Sequence, residues 1–473
     1  MVLVNSLVCL PVPCSRRTLV FSLANTAPGI ERRRGGRSRS RRRSSSSSCG
    51  RGNGDSSSSS CVVVLAVVRS GFAAGAAVVA PGLTGGMTKP VVDKAVIVGG
   101  GLGGLAAAIQ LRKIGIDVQV YERNMRMSGG EGALITLFPN GCQVLNMADP
   151  QIMAKIREAG IADKVSCIVD PKNGEQESSW ELNEHMEKTY GQPSVAVLWQ
   201  NVLNILSEAV PDDCKHMGYE CLDVSQDEQE ATVHFKRGDE FISVKAPLVI
   251  GADGIHSIIR SKLFGLTPPR DNGRTMWRAV IDEHLCSDLA LKVGTISATG
   301  NGRTIFIING VGGKLYWAYS LTDESTDGRS KVRSKDAAEM KARLKQEFKG
   351  WDLALKILEA TDADLILERR VLDIPVLMEW SRGRVVLLGD AVHAVTPALG
   401  QGANLAFEDG LELALQLSSA SDLRGALEAY EKRRIPRAKL VSERTASTQR
   451  PQSFYDWLYT AIPSSSLDQV LRA

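Results

Sequence analysis

One segment near the end of the chain combines small residues, a carboxylate and a helix start, a combination that suits a flat, anionic cofactor. The segment Gly389 to Gly410 reads GDAVHAVTPALGQGANLAFEDG, and the apolar run Arg384 to Leu388 before it predicts a buried strand. Asp390 therefore lies at the carboxyl end of that strand. The small residues of the loop let backbone amides and the N-terminus of a helix starting near Gln401 approach a ligand closely. Glycine-rich loops before helices are also common as plain turns, so the segment gains meaning only from the rest of the chain.

A second segment carries the spacing GxGxxG between a predicted strand, Lys94 to Val98, and a predicted helix, Leu105 to Ile114. In this setting the first glycine allows the tight turn, the second lets the backbone meet a pyrophosphate, and the third permits close packing of helix on strand. These glycines are Gly99, Gly101 and Gly104. Glu122 closes the next predicted strand, Val118 to Tyr121, where a carboxylate can accept hydrogen bonds from a ribose diol. The spacing therefore predicts a dinucleotide site, and the acidic residue favours NAD or FAD over NADP.

A third segment repeats the combination of strand end and Asp-Gly corner. The predicted strand Ala246 to Gly251 leads into Asp253 and Gly254, with Ser257 and Arg260 shortly after them. Two interpretations remain open, and they are compatible with each other. The corner contacts the cofactor, or Asp253 and Ser257 cap the helix that follows.

With these three motifs in this order, the chain resembles the single-component FAD-dependent monooxygenases of the para-hydroxybenzoate hydroxylase type. The resemblance extends to zeaxanthin epoxidase-like and urate hydroxylase-like plant members, and it covers about Lys94 to Arg450. Three further stretches look like family patterns: Leu137 to Leu145 (LFPNGCQVL), Thr275 to Val280 (TMWRAV) and Leu427 to Arg437 (LEAYEKRRIPR).

The resemblance implies a role for each motif in binding FAD. Glu122 would bind the adenosine ribose, Arg123 would lie along the cofactor, and Asp253 with Gly254 would serve both FAD and the passing NADPH. Asp390 would bind the ribityl chain, and Pro397 to Asn404 would line the isoalloxazine ring. The expected cofactor-binding residues are Gly99, Gly101, Gly104, Glu122, Arg123, Asp253, Gly254, Gly389, Asp390, Pro397, Gly400, Gly402 and Asn404.

The sequence departs from the family at one cofactor position. An Arg that helps bind FAD usually precedes a helix there, but Trp199 or Gln200 stands at this point in AVLWQNVLNIL. Either FAD is held differently, or another residue such as Arg126 takes over. No catalytic residue and no metal site are assigned, and His393 is expected to pack beside the cofactor instead of acting as an acid or base.

The activity implied by the resemblance is hydroxylation or epoxidation of a small aromatic or lipophilic substrate. NADPH or NADH would reduce FAD, and O2 would be transferred through a flavin hydroperoxide. The alternative is an FAD-dependent reductase or a non-oxygenating flavoprotein of the same fold. Substrate identity and oligomeric state are left open.

The expected fold class is α/β, with a Rossmann-like FAD-binding domain and an interleaved α+β substrate domain built on a mostly antiparallel sheet. The runs Thr304 to Ile308 and Lys314 to Leu321 would form part of that sheet, at the floor of the substrate pocket. The expected divisions are 1–90 for a leader and linker; 91–170, 195–265 and 366–450 for the FAD-binding domain; 171–194 and 266–365 for the substrate domain; and 451–473 for a C-terminal tail.

The first 90 residues differ in composition from the rest. They contain twelve arginines and one lysine against Glu31 and Asp55, a net charge of +11, so the remainder carries −7 of the total of +4. This Arg- and Ser-rich, acid-poor leader is typical of a transit peptide, which favours a chloroplast, with a mitochondrion as the alternative, over a nucleic-acid-binding arm.

Two weaker features bear on the membrane and on the redox environment. The apolar stretch Cys61 to Ala80 is interrupted by Arg69 and is expected to belong to the leader or to touch a membrane peripherally. The cysteines after the leader lack CxxC spacing, which favours free thiols in a reducing compartment.

Overall fold

The computed structural model describes residues 89–128, 133–162, 165–265, 267–322, 336–447 and 451–460. The leader, including the apolar stretch Cys61 to Ala80, lies outside the described residues, as does 461–473. The transit peptide and the peripheral membrane contact therefore stay predictions. In the part of the chain that is described, no helix combines the length and apolarity needed to cross a bilayer.

The strands belong to four sheets. In chain order they are β1 (Lys94–Val98), β2 (Asp117–Glu122), β3 (Leu134–Leu137), β4 (Ile161–Ala162), β5 (Val165–Val169), β6 (Gln176–Trp180), β7 (Val195–Leu198), β8 (Lys215–Met217), β9 (Glu220–Gln226), β10 (Ala231–Arg237), β11 (Glu240–Ala246), β12 (Leu248–Gly251), β13 (Arg270–Asp282), β14 (Gly294–Gly300), β15 (Arg303–Val311), β16 (Lys314–Thr322), β17 (Leu367–Asp373), β18 (Ser381–Arg382) and β19 (Val385–Leu387).

The helices surround these sheets. They are α1 (Leu102–Lys113), α2 (Pro139–Ala148), α3 (Pro150–Ala159), α4 (Leu182–Tyr190), α5 (Trp199–Glu208), α6 (Ile258–Phe264), α7 (Ala337–Glu347), α8 (Asp352–Ala360), α9 (Asp390–His393), α10 (Gly402–Ser419), α11 (Leu423–Ala446) and α12 (Gln452–Thr460).

A six-stranded sheet in the order β18-β19-β12-β1-β2-β8 forms the core that carries the glycine motifs. All neighbours in it pair in parallel except β18 and β19. The strands β1, β12 and β19 are short apolar runs buried on both faces, as expected of parallel strands covered by helices. The predicted α/β fold class with a parallel nucleotide-binding sheet is confirmed.

A seven-stranded sheet in the order β17-β13-β16-β15-β14-β5-β6 lies beside this core. Only β14 and β5 pair in parallel within it. One face packs under α7 and α8 through Trp317 and Tyr319, and the other carries Phe306 and Tyr316. The period-2 alternation of β15 and β16 therefore divides the aromatic residues between two faces. The sheet draws on residues 165–180 and 270–373, and the domain boundaries given above stay a prediction.

The C-terminal part of the described chain includes a packed helix. Phe454, Tyr455, Leu458 and Tyr459 of α12 are buried in a cluster that includes Phe138 and Leu399. The segment assigned to a tail from the sequence thus contributes α12 to the packing around the 397–404 loop.

Candidate active site

Three sequence motifs meet at one edge of the parallel sheet. Val98 of β1 pairs with Gly251 of β12, and Gly251 pairs with Leu387 of β19. Because these strands are parallel, Gly99, Ala252 and Gly389 leave the sheet next to one another. The carboxyl edge of an open parallel sheet is where such folds bind ligands. Motifs separated by more than a hundred residues thus form one site.

The glycines of the first motif each meet a different steric demand. Gly99 has φ +111°, and a Cβ there would lie 2.3 Å from the Ala252 carbonyl oxygen. A Cβ on Gly104 would lie 2.0 Å from the Gly99 carbonyl oxygen, whereas one on Gly101 would meet nothing within 4 Å. The outer two glycines therefore allow the turn to close against the strand and helix. Gly101, at the N-cap of α1, leaves open space for a ligand.

Glu122 is held against this turn by its own hydrogen bonds. Its Oε2 accepts a hydrogen bond of 2.8 Å from the Gly100 amide, and its Oε1 accepts one of 2.9 Å from the Asn124 amide. A carboxylate has about four acceptor positions, so acceptor capacity remains for the hydroxyls of a ribose.

A cavity of about 410 Å³ opens beside Glu122. This volume is within the usual range for a small-molecule cleft. Six expected cofactor-binding residues line it: Gly99, Gly101, Glu122, Arg123, Asp253 and Gly254. The lining also includes Trp199, at the position where the family usually has an arginine, and three residues that the motifs did not indicate: Met127, Tyr219 and Cys221.

Asp253 caps a helix and also faces the cavity. Its Oδ2 accepts hydrogen bonds from the amides of Ile258 at 2.7 Å and Ile259 at 3.2 Å. Its Oδ1 is buried without a hydrogen-bond partner among the described residues, and burial raises the pKa of the carboxyl group. The Ser257 hydroxyl accepts from the Arg260 amide at 2.9 Å. The structure thus shows the predicted helix caps. Asp253 Oδ1 is still available as an acceptor, and its contact with the cofactor stays a prediction.

The second glycine-rich loop begins with a backbone reversal after β19. Gly389 has φ +61°, and Asp390 follows it as the first residue of α9. The Asp390 side chain is exposed, and desolvation by the surrounding protein raises the pKa of its carboxyl group. A Cβ on Gly402 would lie 3.9 Å from Asp390 Oδ1. The carboxyl group therefore lies beside the first turn of α10.

Residues 397–404 are fixed to the protein from behind. A Cβ on Gly400 would lie 2.9 Å from the Phe138 ring, so the loop packs closely on α2. Asn404 Oδ1 accepts from the Phe138 amide at 3.1 Å, and its Nδ2 donates to the carbonyl oxygens of Thr136 at 3.2 Å and Gly400 at 2.9 Å. The Asn404 side chain thus holds the loop to β3 and α2. Contact of Pro397, Gly400, Gly402 and Asn404 with a cofactor stays a prediction.

The main electrostatic feature of the site is a buried carboxylate, Asp409 of α10. Its Oδ2 accepts from the Gly389 amide at 2.9 Å and lies 2.5 Å from His393 Nε2, and its Oδ1 accepts from Arg434 Nε at 2.7 Å. Burial raises its pKa, but the charges of His393 and Arg434, with these hydrogen bonds, lower the pKa of Asp409 to about 2. One ionised group therefore fixes the loop start, α9 and α11 together.

Glu408 extends this buried charge network. It pairs with Arg434 at 2.7 Å and with both Arg437 Nε and Arg437 Nη2, and it accepts from Asn140 Nδ2 at 2.7 Å. The motifs did not reveal this network. The available signal was the pair of acidic residues inside the mostly buried helix α10, since acids are buried only when they are paired.

His393 is a packing residue with a charged partner. It is fully buried, its ring lies 5.2 Å from that of Trp380, and its Nε2 contacts Asp409. Burial lowers its pKa, but the Asp409 charge and hydrogen bond outweigh this effect and raise it. His393 thus lies behind the loop, in agreement with the expectation of packing.

Trp199 and Gln200 stand where the family usually has an arginine that helps bind FAD. Trp199 begins α5 and lines the cavity, while Gln200 Nε2 donates to the Met127 carbonyl oxygen at 3.1 Å. Arg126 is exposed and lies outside the lining of the cavity, whereas Arg123 belongs to it. Within the described ranges, no group of three or more His, Cys, Asp or Glu side chains is placed to hold a metal ion.

Comparison with known proteins agrees with this geometry. The model of the FAD binding domain family matches residues 93–445. This chain belongs to the FAD binding domain family. The chloroplastic zeaxanthin epoxidase of Solanum lycopersicum is 32% identical over 367 residues, which cover 74% of this chain and 53% of that protein. That of Arabidopsis thaliana is 30% identical over 362 residues, which cover 72% of this chain and 52% of that protein.

Solved structures show the same relationship. Klebsiella pneumoniae HpxO complexed with FAD and uric acid has a TM-score of 0.67 and 25% identity, and the match covers 80% of this chain and 93% of HpxO. The tetracycline destructase Tet(51) shares the fold. It has a TM-score of 0.56 and 20% identity, and the match covers 81% of this chain and 96% of Tet(51). The resemblance to single-component FAD-dependent monooxygenases is confirmed. The chain spans about half the length of the curated relatives it matches.

We predict that alanine substitutions at two glycines of the first motif have different effects on stability and on cofactor binding. Gly101→Ala should leave the Tm of the flavin-free protein unchanged, because its Cβ meets no atom within 4 Å and φ is −73°. It should lower FAD content, because the methyl group enters the ligand space. Gly104→Ala should lower stability as well, by about 2 kcal/mol, because its Cβ would lie 2.0 Å from a carbonyl oxygen. Calorimetry and flavin absorbance measure both quantities. Normal flavin content in Gly101→Ala, or normal stability in Gly104→Ala, would contradict the assignment.

We predict that Asp409→Asn destabilises the fold by about 3 kcal/mol, because it leaves buried Arg434 without a full counter-charge. Since the pKa of Asp409 is about 2, below its ordinary value of about 3.9, its stabilisation is present above pH 4 and is lost as the pH falls toward 2. Denaturant unfolding between pH 7 and pH 2 should therefore show a smaller acid-dependent loss in the variant. Glu428→Gln, which breaks an exposed pair with Arg424, is the matched control and should change little. An equal effect of the two substitutions would refute a special role for Asp409.

Proposed function

We propose that this protein is an FAD-dependent monooxygenase that uses NADPH or NADH and O2 to hydroxylate or epoxidise a small aromatic or lipophilic substrate. The observation that carries the proposal is the convergence of the two glycine motifs. The N-termini of α1 and α10 and the carboxyl group of Asp390 lie along one edge of the parallel sheet. The sheet face that bears Phe306 and Tyr316 packs with Leu134 of β3, and Thr136 of the same strand accepts a hydrogen bond from Asn404 of α10.

The chain's own groups fit an FAD molecule. Gly101 gives the pyrophosphate access to the amides at the start of α1, and Glu122 has free acceptor capacity for the adenosine ribose. The unsatisfied Oδ1 of Asp253 and the exposed carboxyl group of Asp390 offer acceptors farther along. In this proposal Trp199 and Arg123 occupy the cavity wall where the family arginine is absent.

FAD, when bound, supplies the electron transfer and the activation of oxygen. The protein's part is to bind, to orient and to keep water out. The N-terminus of α10 carries a partial positive charge that stabilises negative charge at the 397–404 loop. Asp409 holds the start of this segment at Gly389, Asn404 holds residues 397–404 to β3 and the start of α2, and the apolar sheet face provides a surface from which water is excluded.

A chloroplast location is part of the proposal, with a mitochondrion as the alternative. It is supported by the Arg- and Ser-rich leader and by the chloroplastic relatives. The partners proposed are a small molecule, the nicotinamide cofactor and O2, without nucleic acid.

The test is substrate-stimulated oxidation of NADPH and NADH with simultaneous O2 uptake by the purified, FAD-loaded protein. A metabolite screen should find compounds that accelerate both rates and that incorporate label from 18O2. A product without the 18O label would contradict oxygen transfer and would favour the alternative, an FAD-dependent reductase or a non-oxygenating flavoprotein. A folded protein that takes up no FAD would refute both activities.

We predict that Asp390→Ala sharply lowers FAD retention, because it removes the one carboxyl group exposed beside the start of α10 in the described loop. The Tm of the flavin-free variant should be close to that of the wild type, because an exposed side chain contributes little to folding. Flavin content after gel filtration measures the first quantity and calorimetry the second. Wild-type flavin content in the variant would remove Asp390 from the site.

A further inference from the structure

The cavity beside Glu122 is lined by more acidic than basic side chains, although the cofactor proposed for it carries a negatively charged diphosphate. The carboxylates in its lining are those of Glu122, Glu220 and Asp253. Among the described residues that line the cavity, Arg123 is the only lysine or arginine, and its side chain is exposed. An exposed ion pair contributes at most about 1 kcal/mol. Pairing with cationic side chains therefore offers little affinity for a diphosphate here.

Backbone groups provide positive potential at this cavity instead. Gly101 is the N-cap of α1 and Leu198 is the N-cap of α5, and neither residue caps its helix with a side chain. Neither helix has an acidic residue in its first turn. The first amides of a helix have no partner inside the helix, and the helix dipole gives them a partial positive charge. Gly101 and Trp199, the first residue of α5, both line the cavity.

The side chain at the start of α5 is large and uncharged. Trp199 lines the cavity and packs against the apolar core of the parallel sheet. Its indole nitrogen is not among the buried atoms that lack a partner, and the only hydrogen bond that Trp199 makes in the described chain is from its amide to the Ala133 carbonyl oxygen, at 3.1 Å. An indole offers a flat apolar face and one N–H donor. Both are available to a ligand in the cavity.

Two neighbours extend the apolar surface of Trp199. Leu203, one turn later in α5, and Met127 line the same cavity. The Gln200 side chain fixes their relative position, because its Nε2 donates to the Met127 carbonyl oxygen at 3.1 Å. Met127, Trp199 and Leu203 are called the Trp199 wall below. This wall contains no cation, and it shares the cavity with the groups proposed to bind the adenosine ribose and the pyrophosphate.

We propose that Trp199 is a cofactor-binding residue that packs against the ribose and diphosphate part of FAD without forming an ion pair. Helix amides, hydrogen bonds to hydroxyl groups and apolar contact then hold the cofactor where a cationic side chain is absent. Because salt screens the attraction between opposite charges, a site of this kind should bind FAD with little dependence on salt. The inference rests on the proposed function and adds the way in which this chain departs from a charged cofactor site.

The test measures the dissociation constant of FAD from the purified flavin-free chain by equilibrium dialysis at low and high KCl concentration, about 20 mM and about 500 mM. The affinity of the wild type should fall by less than about 5-fold over this range. W199R should lose at least about 5-fold more affinity than the wild type over the same range, because a guanidinium facing a diphosphate adds an ion pair that salt screens.

Two further substitutions test the apolar contact itself. W199A should weaken FAD binding by about 10-fold at both salt concentrations, because it removes the aromatic surface. W199F should remain within about 3-fold of the wild type, because a flat apolar face remains. The Tm of each flavin-free variant identifies any that is not folded, and the salt dependence of the wild type is measured independently of them.

The control for W199R is E208Q, which changes the net charge by the same amount at the far end of α5, in an exposed pair with Lys155. It should leave affinity and salt dependence unchanged.

Four results would each overturn the proposal: a larger loss of affinity with salt in the wild type than about 5-fold, no steeper salt dependence in W199R, wild-type affinity in W199A, or the steep salt dependence of W199R appearing also in E208Q. Binding by W199F as weak as that by W199A would likewise exclude contact through the aromatic face. A folded wild-type chain that binds no FAD would refute the proposed function, whereas FAD binding with a steep salt dependence would refute only the role of Trp199.

Discussion

The arrangement of the site depends on one buried carboxylate. Asp409 receives hydrogen bonds from the Gly389 amide and from Arg434, and it lies in contact with His393. Since an ionised group inside a protein is stable only when it is fully paired, these partners cannot move independently. The start of the glycine-rich loop is therefore fixed relative to α10 and α11. This constraint fixes the start of the loop, while the packing of Gly400 on Phe138 and the hydrogen bonds of Asn404 fix its end.

The same network separates the roles of neighbouring acidic residues. Asp409 and Glu408 are buried and paired, and the pKa of each is lowered. Asp390 is exposed, and its pKa is raised by desolvation. Identical chemical groups within one short segment thus have different environments: the two that meet arginines behind the loop are buried and paired, whereas Asp390 is exposed.

The sequence predicted features that depend on local spacing. The strand Lys94–Val98 has the predicted bounds, and the three steric roles of Gly99, Gly101 and Gly104 follow from a motif of six residues. It did not reveal the partners of Asp409 and Glu408, because Arg434 and Arg437 lie a helix away and only tertiary packing brings them close. The aromatic residues of KLYWAYSL show the same limit. Alternation predicts two faces, but only the packing of α7 and α8 shows that Trp317 lies beneath these helices, while Tyr316 is buried in a separate cluster on the opposite face.

The central claim is that the two glycine motifs and Asp390 form one FAD site. The most direct measurement is the identity and amount of flavin released from the purified, FAD-reconstituted wild-type chain by denaturation and chromatography. We expect one FAD per chain and no substitution by FMN, because the adenosine ribose is proposed to bind Glu122. A folded protein that retains no FAD, or that retains FMN equally well, would contradict it.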